Sequence, residues 1–178
     1  PPKGTSMPIS LTVNEPRVNI PAGHHIRPQV TASLRPGTAT EVSVRAGRHA
    51  FTIDEPASLG GTDLGANPIE HLLAALGACN VISYQVWAQK LGLTLDAVDV
   101  SLTGDLDTRG FFGLDDGVRA GYQGIQVDVT LRGPDPVGRY LELHEAVETH
   151  CPVLDNLTNA VPVRVNVDVS AQLEAVAS

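Results

Sequence analysis

Cysteine is scarce in this 178-residue chain, which has only Cys79 and Cys151. Two thiols are too few for the disulfide framework of a small secreted domain, and too few for a zinc site built of thiolates alone. Positive charge is also short: 12 Lys and Arg against 20 Asp and Glu leave a net charge of -8, and no basic run of five residues occurs. Nucleic-acid binding draws most of its affinity from a basic surplus, so nucleic acid is not an expected partner. Long apolar runs are missing too. The most apolar stretch, Leu72–Trp87, is interrupted by Gly77, Asn80, Ser83 and Gln85, well short of the roughly 20 residues a membrane span needs. The N-terminus has early prolines and no apolar core segment, so no secretory signal is expected. With so few cysteines, a reducing cytoplasm is the expected location. Phosphate-cradling glycine loops, a nucleophile elbow and paired catalytic carboxylates are likewise missing.

What remains is one ordinary α+β core. Residues 1–26, rich in Pro and Gly, read as an extended or flexible arm, and residues 27–178 as a single domain. Val30–Leu34, Glu41–Val44 and His49–Ile53 alternate with period two, which predicts a three-stranded antiparallel start. Asn67, Pro68 and Glu70 make a capping-box arrangement that predicts a helix to about Lys90, stopped at Leu91-Gly92. Apolar residues cover nearly its whole circumference, so burial on nearly all sides is expected, inside a sheet wrap or a dimer interface. Ala97–Leu102 and Gly124–Leu131 read as strands joined by a long loop over Gly104–Gly121. Pro134-Asp135-Pro136 opens a second helix that must end before Pro152, Cys151-Pro152 opens a short third one, and Pro162–Val169 reads as a closing strand.

The two thiols fall in different settings. Cys79 lies about twelve residues into its helix, beyond the reach of the helix N-terminal partial charge, so a thiolate there needs a cation from elsewhere. Taken alone it reads as a small buried hydrophobe beside the slim Ala74–Ala78 run. Cys151 stands at an N-cap position, where free backbone N–H groups favour a thiolate; a plain structural cap is the bland alternative. His150 reads as a surface residue and not as a base. Glu70 has a capping role, and helical geometry sets it about 180° around and some 13 Å along the axis from Cys79. Arg45 and Arg48 flank Gly47 at a tight strand connection, and either could supply the cation. Asp105, Asp107 and Asp116 partly imitate a calcium loop, but Arg109 stands at a ligand position, so an acidic hairpin loop is expected and no metal. His24-His25 lacks a second ligand pair.

The run from Asp54-Glu55-Pro56 through Gly60-Gly61 to Asn67-Pro68-Ile69-Glu70-His71-Leu72-Leu73-Ala74-Ala75-Leu76-Gly77-Ala78-Cys79 resembles the OsmC/Ohr family of hydroperoxide-detoxifying proteins. So do Gly104–Gly110 and Cys151-Pro152-Val153-Leu154-Asp155-Asn156-Leu157, in the same order over residues 28–170. The resemblance implies an OsmC-like α+β fold, with antiparallel sheets wrapped around two long central helices in an intertwined homodimer. It also implies a thiol-dependent peroxidase of the stress response. Cys79 would attack a small organic hydroperoxide, Cys151 would resolve the product as a disulfide, and Arg45 and Glu70 would activate the site. No bound cofactor is implied; an external dithiol, lipoyl or thioredoxin-like, would reset the thiols. The family carries glutamate directly after Asn-Pro, where this chain has Ile69. That departure motivates an alternative: an OsmC-like small-ligand-binding or stress-associated protein with little turnover.

Overall fold

In the computed structural model, which describes residues 25–169, the alternating segments pair into an antiparallel sheet in the order β1 (Val30–Leu34), β2 (Val42–Ala46), β3 (His49–Ile53). Ala46 lies opposite His49, which leaves a two-residue turn, and Gly47 takes the positive φ of 57° that such a turn requires. The arm expected over 1–26 lies almost wholly outside the described residues.

After β3 the chain enters a loop organised around one carboxylate. Asp54 is buried and accepts from the Thr40 hydroxyl (2.6 Å), the Thr62 hydroxyl (2.7 Å) and the backbone N–H groups of Glu55, Thr62 and Leu64. An ionised carboxylate can accept all of these bonds at once, and leaving the donors unmatched would be costly. The loop therefore closes on Asp54 and delivers the chain to α1 (Pro68–Leu91).

Helix α1 starts and stops as its sequence signals. The Asn67 side chain accepts from the Glu70 N–H and Glu70 accepts from the Asn67 N–H, both at 2.9 Å, and Gly92 ends the helix with a left-handed φ of 66°. Strands β4 (Ala97–Asp105) and β5 (Gly124–Arg132) pair antiparallel from Ala97 opposite Arg132 to Asp105 opposite Gly124. The alternation puts Val98, Val100 and Leu102 on one face with Leu131, Val129 and Val127. Gly77 lets α1 approach this face: a Cβ there would stand 2.8 Å from Leu102 Cδ1. The Gly104–Gly121 connection, expected as a loop, contains a short helix, α2 (Thr108–Phe111), capped by Asp107. Arg109 pairs with Asp107 and Asp115 of this loop.

Helices α3 (Val137–His150) and α4 (Pro152–Thr158) complete residues 28–160, which form one compact unit. Its core joins Tyr84, Ala88, Leu93, Leu143, Val147 and Cys151. One expectation is corrected. Pro162–Val169 forms no strand, and its alternating valines are 78–81% exposed; alternation marks a strand's faces but supplies no neighbour to bond with. Within one chain, helix α1 leaves Ile82 62% and Val86 44% exposed, so the sheet alone does not wrap it.

The hydroxyls of Thr40 and Thr62 hold the Asp54 carboxyl well below the usual carboxylate range, against the opposing effect of burial. The stability this confers is complete above the unfolded carboxylate value of about 3.9 and drains away as pH falls from there toward the depressed folded value. Asp54→Ala is expected to lower the thermal midpoint at pH 7 far more than Asp116→Asn on the exposed loop, and to flatten the acid limb of the stability curve below pH 4. Calorimetry across pH reads both.

Candidate active site

The joint between α3 and α4 fixes one thiol. Proline disfavours helical geometry in the residue before it, and Cys151 accordingly takes φ -76°, ψ 110° ahead of Pro152. Its N–H closes α3 on the Val147 carbonyl at 2.9 Å, while its own carbonyl opens α4 by accepting from Asp155 at 3.0 Å. With both backbone groups spent in this way, the side chain is directed into the core, fully buried among Tyr84, Leu143 and Val147. Its sulfur makes no capping bond to α4. The sequence expectation of an N-cap sulfur aimed at free N–H groups is thus corrected: packing, not capping, sets its direction.

The other thiol meets it from α1. Cys79 is partly buried against the same core cluster, both cysteines are free, and the two thiols lie beside one another. Pro152 has no N–H, so the first free donor of α4 belongs to Val153. That N–H lies near the Cys79 sulfur and favours its thiolate, as does the hydroxyl of Ser83 one helical turn along α1. Neither donor was picked out from the sequence. The spacing of four residues could have revealed Ser83, but only the fold brings Val153 across from α4.

These influences oppose one another. Burial pushes the Cys79 thiol up, the Val153 N–H pulls it down, the adjacent Cys151 thiol pushes it up again and Ser83 pulls it down, leaving it raised overall. None of these main influences is a cation. Arg45 is exposed on β2 between Thr31 and Ala50, and its guanidinium makes no ion pair among the described residues. Glu70 is exposed and engaged in the capping box. Within one chain, then, Cys79 and Cys151 come together, and Arg45 and Glu70 hold other positions.

A tyrosine backs the thiols. Tyr84, fully buried in the same cluster, has its phenol pushed up to about 12 by burial and by the charges of Glu148 and Cys151. It stays protonated at neutral pH and shares a hydrogen bond of 2.5 Å with His144 Nδ1, while His144 Nε2 lies 3.6 Å from Glu148 Oε1. His150 is exposed, as expected, and its ring leans on Trp87 at 4.3 Å between centroids.

The fold and its site define an α+β protein whose two cysteines converge in an apolar core. The OsmC-like protein family model matches residues 61–166, more than half of the sequence, and the chain belongs to the OsmC-like family. Among solved structures it is similar to an OsmC-like protein from Mycoplasma pneumoniae, 20% identical with a TM-score of 0.64, covering 82% of this chain and 96% of that one. An organic hydroperoxide resistance protein from Legionella pneumophila is 17% identical with a TM-score of 0.56, over 74% of this chain and 89% of that one. One from Elizabethkingia anophelis is 19% identical with a TM-score of 0.55, over 75% and 89%. At these identities the likeness shows the fold. No curated protein sequence matches. Among the described residues no helix is long and apolar enough to cross a membrane.

Burial sets the order of thiol reactivity. In the folded, reduced protein iodoacetamide is expected to label Cys79 and spare Cys151 until denaturant is added, as peptide mass mapping would read; preferential labelling of Cys151 would contradict the geometry.

Proposed function

We propose that the protein is a thiol-dependent peroxidase that reduces organic hydroperoxides, and the observation that carries this reading is the convergence of its only two cysteines in one apolar core. The Cys79 thiolate attacks the terminal peroxide oxygen. An S–O bond forms, the O–O bond breaks, and the alkoxide leaves and takes up a proton to become the alcohol. Cys151 then attacks the sulfenic sulfur, an S–S bond forms, and the hydroxyl departs as water with the Cys151 proton. An external dithiol, lipoyl or thioredoxin-like, returns two electrons and two protons and is itself oxidised to a disulfide.

This cycle needs a cation, and none of the described residues that act most on Cys79 is one. A second copy of the chain would supply it. The exposed Ile82 and Val86 on α1, the thinly covered β1–β3 sheet and the unpaired guanidinium of Arg45 are consistent with a homodimer in which the β2–β3 hairpin of one protomer faces the thiols of its partner. Glu70 would then orient that arginine.

A second reading has its own support. The raised Cys79 thiol, Ile69 after Asn67-Pro68 and the capping bond of Glu70 all suit a ligand-binding protein with little turnover. The pH profile separates the two. For the peroxidase, Cys79 alkylation should level off near neutral pH, and Arg45→Gln should move the profile upward by more than one pH unit. Hydroperoxide consumption by the reduced protein should be lost in Cys79→Ser, while Cys151→Ser consumes one equivalent without turning over. Consumption no faster than that of a free thiol, with an alkylation profile still rising beyond pH 9, would favour the ligand-binding reading.

A further inference from the structure

The surroundings of the two thiols suit a bond cleavage other than that of a peroxide. Cys151 is fully buried, whereas Cys79 on α1 is only partly buried against the same cluster. A substrate therefore meets Cys79 first, and Cys151 reaches only what has already bonded to that sulfur. The influences that act most on Cys79 are burial, the Val153 N–H, the Cys151 thiol and the Ser83 hydroxyl. All of them bear on the attacking sulfur, and none of them is a cation able to receive charge on a departing group.

Such a set favours a leaving group that carries its own charge easily. Splitting an O–O bond expels an alkoxide, about as basic as hydroxide, whose conjugate acid titrates at about 15.7. Splitting an S–S bond expels a thiolate, whose conjugate acid titrates at about 8.5. The sulfur leaving group is the weaker base by roughly seven pH units, and it departs without a cation to hold it. The apolar core acts in the same sense. During displacement at sulfur the negative charge spreads over three sulfurs in line, whereas in the free thiolate it sits on one. Burial penalises concentrated charge most. The core that pushes the Cys79 thiol up therefore opposes this spread charge less than it opposes the thiolate itself.

We propose that the Cys79–Cys151 pair reduces organic polysulfides, namely dialkyl trisulfides and their longer homologues, as an activity separate from peroxide reduction. The Cys79 thiolate attacks an outer sulfur of the trisulfide. An S–S bond forms to that alkylthio group, the bond to the middle sulfur breaks, and the hydrodisulfide anion leaves and takes up the proton that Cys79 gave up. Cys151 then attacks the Cys79 sulfur from the core side, the Cys79–Cys151 bond forms, and the alkylthiolate leaves as the thiol with the Cys151 proton. The protein loses two electrons, and the trisulfide gains them as one thiol and one hydrodisulfide. An external dithiol returns two electrons and two protons to the pair. Neither step passes through a sulfenic acid, so the activity does not rest on the peroxidase reading.

The test mixes the full reduced chain at pH 7 with one equivalent of dimethyl trisulfide and, separately, of cumene hydroperoxide. Headspace gas chromatography reads methanethiol, and mass analysis reads the state of each cysteine. The trisulfide should be consumed faster than by glutathione, by roughly tenfold or more, with methanethiol released and a Cys79–Cys151 disulfide formed. In Cys151→Ser, and equally in Cys151→Ala, which keeps the core apolar, the reaction should stall with a methylthio group on Cys79; Cys79→Ser should be inert. Trisulfide reduction without hydroperoxide consumption would sustain this activity and remove only the peroxidase reading. Hydroperoxide consumption with trisulfide loss no faster than that of glutathione would overturn the proposal and leave the peroxidase standing. A methylthio group found first on Cys151, or one that persists on Cys79 in the unmodified chain, would overturn it as well.

Discussion

The arrangement depends on the backbone of Cys151. A single residue ends α3 and begins α4, and the proline after it forbids the two helices from running on as one. Because its N–H and carbonyl are committed to the helices on either side, its side chain is held in the core beneath α1. Leu143 and Val147 on α3 close round it, and Tyr84 and Ala88 on α1 complete the packing. Cys79 belongs to the same helix as Tyr84, so the packing that buries the second thiol also sets the first against it. The sulfur pair follows from the helix joint and the core.

Much of this was legible in the residues. The capping box at Asn67 and Glu70, the stop at Gly92 and the helix break at Pro152 are local, and local signals survive into the fold because few tertiary forces oppose them. The antiparallel strands were visible from alternation, to within a few residues at their ends. What could not be read was anything that depends on a neighbour. Pro162–Val169 alternates as well as β5 does, yet has no partner strand among the described residues. The four-residue helix at Thr108 is too short for periodicity to declare, although Asp107 is a recognisable cap.

The site divides in the same way. Both cysteines were found from sequence, but the direction of the Cys151 sulfur was not, because N-cap geometry leaves the side chain a choice that only core packing decides. Val153 contributes through its backbone, and a side-chain motif cannot reveal it. Glu70 illustrates the competition between roles: the helix start uses its carboxylate, so any part in catalysis would require it to leave the capping box or to serve both ends at once. The raised Cys79 thiol likewise reflects what its described surroundings supply. Two hydrogen-bond donors do not outweigh burial and a neighbouring thiol, and a positive charge has to arrive from outside that set.

The central claim is that Cys151 stands where it can capture whatever forms on Cys79. Trapping of sulfenic acid with dimedone after one equivalent of an alkyl hydroperoxide tests it most directly. In Cys151→Ser the adduct should accumulate on Cys79, whereas in the unmodified chain it should be scarce and replaced by a Cys79–Cys151 disulfide. Equal dimedone labelling of Cys79 in both proteins, with no disulfide in either, would contradict the account.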